Sequence, residues 1–71
     1  MNVNKLRAKI VENGINVTIL AEKMGINRST LYRKINSQGQ SLTVKEANLI
    51  VKILNLSEED AMDIFFKDNV A

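Results

Sequence analysis

The side chains best suited to chemistry lie within one short stretch: Asn27, Arg28, Ser29, Tyr32, Arg33 and Lys34. None of these is a nucleophile paired with a base or a metal-ligand set. They are hydrogen-bond donors and cations of the kind that meet base edges and phosphates in a major groove. When Leu31 and Ile35 point inward, what remains exposed on the helix is Arg28, Ser29, Tyr32 and Arg33, with Lys34 beside them.

Residues 17–36 contain the elements that would carry this face. A helix over 17–24 places Leu20, Ala21 and Met24 on its inner side. Ala21 is small where a second helix must cross closely. Gly25 stands where the turn needs a left-handed backbone, which costs a residue without Cβ little. Ile26 can then pack back toward Ala21. Asn27 suits an N-cap, accepting from the amide of Ser29 or Thr30, and opens a helix over 28–36. Two short helices joined in this way form the pattern of a helix-turn-helix that reads DNA.

Three further helices and no strand are expected. The first runs from about residue 2 to 13, with Val3, Leu6 and Ile10 inward and Gly14 and Ile15 folding its end back. The polar segment 37–42 is a loop. Thr43 and Glu46 form a capping box that opens a fourth helix to about 55, and Ser57 and Asp60 repeat it for a fifth over 57–67. Glu58, Glu59 and Asp60 suit the positive end of that helix, and with Asp63 they read as a solvated acidic cluster. In the fourth helix Val44, Ala47, Ile50, Val51 and Leu54 make one apolar stripe, with Leu49 and Ile53 making a second, so it is expected at the centre of the core. The last three or four residues are expected to fray.

Composition narrows the function classes. Seventy-one residues make one small domain, which buries only about 60% of its unfolded surface. Cysteine and histidine are absent, which removes disulfides, zinc sites and imidazole catalysis. No glycine-rich phosphate loop and no evident buried carboxylate pair is present. The expectation is a protein that is no enzyme and uses no metal, cofactor or small-molecule ligand. No apolar run approaches a membrane span and no signal peptide is expected, which suits the cytoplasm. The net charge of +2 is uneven. Residues 1–37 carry seven basic side chains against two acidic, and residues 38–71 carry three against six. A polyanion is drawn to the first half and repelled by the second. Lys5, Arg7 and Lys9 are read as a solvated face of the first helix, or as remote phosphate contacts.

The run from Gly25 through Ile26, Asn27, Arg28, Ser29, Thr30, Leu31, Tyr32, Arg33, Lys34 and Ile35 resembles the turn and recognition helix of the Cro/repressor (XRE) class. The flanking helices extend the resemblance over nearly the whole chain, to a five-helix, all-α, lambda-repressor-like domain. Residues 54–66 are similar to small regulators of temperate phages of Gram-positive bacteria. The resemblance implies a cytoplasmic repressor, bound as a homodimer to a two-fold double-stranded DNA operator in a lysis/lysogeny switch. It also implies base reading by Arg28 and Ser29, a base or phosphate contact by Arg33, and a phosphate or thymine-methyl contact by Tyr32. One departure is Val17, where the family often carries a glutamine that braces a phosphate; Thr18 is the candidate to replace it.

A protein partner is the second reading: an antirepressor that covers the DNA-binding surface of a cognate phage repressor. The apolar fifth helix suits it. Either Phe65 or Phe66 closes the core with Met62 while the other, with Ile64, stays at the surface as a contact anchor, or both aromatics are buried.

Overall fold

The computed structural model describes residues 1–66 as five helices: α1 (Val3–Glu12), α2 (Val17–Met24), α3 (Arg28–Asn36), α4 (Val44–Leu54) and α5 (Glu58–Phe65). No strand occurs among the described residues. The fifth helix ends at Phe65, with Phe66 as its C-cap, short of the expected residue 67; the expected fraying of the terminus falls outside the described residues.

Each helix starts where a polar side chain takes an orphan amide. Asn2, Asn16, Asn27, Thr43 and Ser57 accept from the backbone N–H of Lys5, Ile19, Ser29, Glu46 and Asp60, at 3.1, 2.8, 2.7, 3.0 and 3.0 Å. The capping box of α4 is complete, because the Thr43 amide donates back to Glu46 Oε1 at 2.9 Å. In α5 the box is only half made. Ser57 caps the helix, but the Asp60 carboxylate faces Lys5 and Lys9 of α1 instead.

The stops of α2 and α4 follow one scheme. After α2, Gly25 adopts φ +78° and the Ile26 amide reaches back to the Ala21 carbonyl at 3.0 Å. After α4, Asn55 takes the same role at φ +53°, with Leu56 N–H on Val51 O at 3.0 Å. In the loop after α3, Gly39 has φ +75°, and a Cβ there would lie 2.8 Å from Met1 Sδ, so the chain's start closes against this loop.

The core lies where α2 packs on α3 and α4, and α1 on α5. Leu6, Leu20, Ala21, Leu31, Ile50 and Ile64 are fully covered. Ala21 occupies the close crossing that its size predicts. Val17 is also core, at 7% exposure, so this position gives its side chain to packing and holds no phosphate. The apolar stripe of α4 is covered only from Ala47 onward; Val44, in its first turn, is 71% exposed. The N-terminus is clasped to α5 by the Asn2 amide on the Ile64 carbonyl at 2.7 Å. The Asn13 side-chain amide, donating through Nδ2, ties the end of α1 to Leu54 O at 3.2 Å.

The end of α5 corrects the expected division of labour. Ile64 is fully buried, and the surface contact assigned to it is ruled out by its place in the core. Met62 is half exposed instead of closing the core. Phe65 packs part-buried against the core cluster, and Phe66 is 57% exposed, its ring edge-on to Phe65. The helix turns by about 100° per residue, so Ile64, Phe65 and Phe66 cannot all face inward, and the packing of α1 against α5 turns Ile64 to the core.

Candidate nucleic-acid interface

The turn at Gly25 sends α3 across α2, burying Leu31 and Ile35 and leaving the opposite side open. Ser29, Tyr32 and Arg33 are exposed there, and Arg28, the first residue of α3, is exposed beside them at the helix start. Asn27 is exposed at the helix start, its side-chain oxygen committed to the Ser29 amide. No acidic residue occurs within α3. Neither Arg28 nor Arg33 enters an ion pair among the described residues. Thr18, one position past Val17 at the start of α2, is half-buried.

The other basic residues of the N-terminal half are disposed differently. Lys5 Nζ lies 3.1 Å from Asp60 Oδ1 and 2.7 Å from Asp63 Oδ2. Lys9 Nζ lies 3.0 Å from Asp60 Oδ2 and 3.4 Å from Glu12 Oε1. The two lysines therefore join α1 to α5 and form no solvated basic face. Arg7 Nη2 donates to Asn36 Oδ1 at 3.1 Å, linking α1 to the last residue of α3. The spacing carried a signal that a single-helix reading missed. Lys5 and Lys9 are four apart and Asp60 and Asp63 three apart, so each pair lines one side of its helix.

Lys34 also departs from the reading face. Its ammonium donates to Glu46 Oε1 and Oε2 at 2.9 and 3.1 Å and to the Ser41 carbonyl at 3.0 Å. The same Glu46 oxygen receives the Thr43 amide. That amide first, and the Lys34 ammonium second, hold the Glu46 carboxyl below the usual carboxylate range.

The α1–α5 network makes stability pH-dependent at both ends. Hydrogen bonds from Lys9 and then Lys5 depress the Asp60 pKa. A depressed acid stabilises the fold above its unfolded pKa of about 4, and that contribution is lost as pH falls through the lower folded value. Asp63 and then Asp60 raise the Lys5 pKa, and Asp60 and then Glu12 raise that of Lys9. Their contribution is complete below the unfolded lysine pKa of about 10.4 and is lost as pH rises through the folded values. Thermal melts across pH should show a plateau with a fall on each side. Asp60→Asn should lower the plateau and flatten the acid limb. An acid limb unchanged by this substitution would assign the acid loss to other carboxylates.

A tight turn of two helices with an open, cationic outer face on the second defines a helix-turn-helix protein. Residues 5–67 match the family model for the Cro/C1-type HTH DNA-binding domain. The chain belongs to that family, and its fold is the five-helix, all-α arrangement that the sequence led one to expect. No curated protein and no solved structure matches the chain. No helix among the described residues is long and apolar enough to cross a membrane.

Proposed function

We infer that the chain is a sequence-specific repressor of the Cro kind, reading duplex DNA with α3. The observation that carries this reading is the face of Arg28, Ser29, Tyr32 and Arg33, whose two guanidiniums stand outside every ion pair of the described residues. Arg28 and Ser29 in the first turn take the base-reading roles, with Asn27 at the cap beside them. Arg33, one turn on, takes a base or phosphate, and Tyr32 between them meets a phosphate or a thymine methyl. Thr18 is the candidate phosphate donor from α2. A single short helix covers about half an operator, so two copies are expected on half-sites about 34 Å apart. A role in a phage lysis/lysogeny switch rests on the resemblance of residues 54–66 to small phage regulators.

A protein partner, such as a cognate repressor whose DNA face this chain covers, is the second reading. It is favoured by exposed apolar side chains away from α3: Phe66, and Val44 across an open groove of about 210 Å³ that Met1 and Leu42 also line. Salt separates the two. Binding to a random duplex should weaken steeply as salt rises, with log K falling by about 0.9 per phosphate neutralised for each unit of log salt. Flat salt dependence, with no binding to DNA at physiological salt, would contradict the repressor reading and favour the apolar partner.

A further inference from the structure

The tail of α3 is held by two struts. One is the Arg7–Asn36 hydrogen bond. The other is a knot in which the Lys34 ammonium spans both Glu46 oxygens and the Ser41 carbonyl, while Glu46 caps Thr43 at the start of α4. The Lys34 and Glu46 side chains are 16% and 18% exposed, the most covered ion pair among the described residues. The Lys34 backbone belongs to the same knot: its carbonyl accepts from Gly39 N–H at 2.8 Å and from Ser37 Oγ at 2.9 Å. One residue thus joins the last turn of the reading helix, the 37–42 loop and the cap of α4. An ammonium with a carboxylate and a carbonyl around it has little left to offer a phosphate.

We propose that Lys34 and Glu46 are a positioning pair: they set the attitude of α3 toward DNA, and Lys34 makes no phosphate contact of its own. The proposal rests on the DNA reading above. It concerns how faithfully the arginines of α3 are aimed, so it bears on discrimination between sequences and not on overall attraction to DNA. Glu46 keeps a cation close to the DNA side out of the non-specific contact.

The test is the double variant Lys34→Met/Glu46→Gln, which leaves net charge unchanged and keeps an amide oxygen to cap Thr43. Three readouts are compared with the unmodified protein: the salt slope on random duplex, the ratio of operator to random affinity, and hydrogen exchange at the Gly39 amide. The slope should stay the same and Gly39 exchange should accelerate. The affinity ratio should fall about twofold to fivefold, a ceiling set by what a partly exposed ion pair contributes. Lys34→Arg, whose guanidinium can grip the same carboxylate, should behave as the unmodified protein. A slope smaller by about one, with equal weakening on every sequence, would make Lys34 a phosphate contact and overturn the proposal. An unchanged ratio with unchanged exchange would overturn it as well. If the unmodified protein enriches no DNA motif, the DNA reading falls and takes the role in discrimination with it. The exchange readout then reports separately whether the pair fixes the end of α3.

Discussion

Replacing Arg28 with alanine should cost about 1–3 kcal/mol of operator binding and relax sequence preference at one position of each half-site. Arg28 is the first residue of α3, capped by Asn27 and exposed. A cation at that end opposes the helix dipole, so the side chain is a poor choice for helix stability. The same substitution should therefore leave the melting temperature unchanged or raise it slightly. The split between the two readouts is what makes the prediction sharp. Loss of binding together with loss of stability would mean that Arg28 supports the fold. A uniform loss across all sequences, with a salt slope smaller by about one, would make it a phosphate contact. The check is a pair of titrations, on operator and on scrambled duplex, beside a thermal melt.

The second large effect concerns α5. Ile64→Ala should destabilise the domain by about 2–5 kcal/mol, because a fully buried side chain leaves a cavity that its neighbours only partly fill. A domain of this length has about 4–10 kcal/mol in all, so the variant should lose about half of its stability and unfold at a clearly lower denaturant concentration. The Ile64 carbonyl also anchors Asn2, so unfolding there should release the start of α1. Phe66→Ser, two residues on, removes a side chain that is 57% exposed and should change stability by no more than about 0.5 kcal/mol. Denaturant unfolding of the two variants separates core from surface at this end of the chain. Equal effects would contradict the burial pattern.

The parts of this fold that were legible in the sequence are those set by local chemistry. Asn27, Thr43 and Ser57 mark helix starts because a short polar side chain can accept an orphan amide two or three residues on. Gly25 marks the turn because its backbone is left-handed there. The open side of α3 follows from the inward spacing of Leu31 and Ile35. Less legible were the features that depend on partners distant in sequence. Lys5 and Asp63 stand 58 residues apart, and no reading of α1 alone shows that its lysines face acids of α5. As a result the N-terminal half is less basic in the fold than its composition suggests. Lys34 looks like a groove-facing cation until the 37–42 loop brings Glu46 beside it. At the end of α5, Met62, Ile64, Phe65 and Phe66 crowd five positions, and local periodicity did not select among them. The packing of α1 against α5 and the clasp of Asn2 to Ile64 show which one turns inward.

The most direct test of the account is selection from a random duplex pool by the purified chain, with binding to the enriched sequences followed across salt. A two-fold motif whose half-sites are centred about 10 bp apart, bound more weakly as salt rises, is the expected result. It would give the operator and the dimeric arrangement together. Enrichment of no motif, with only weak attraction that disappears at physiological salt, would contradict base reading by α3.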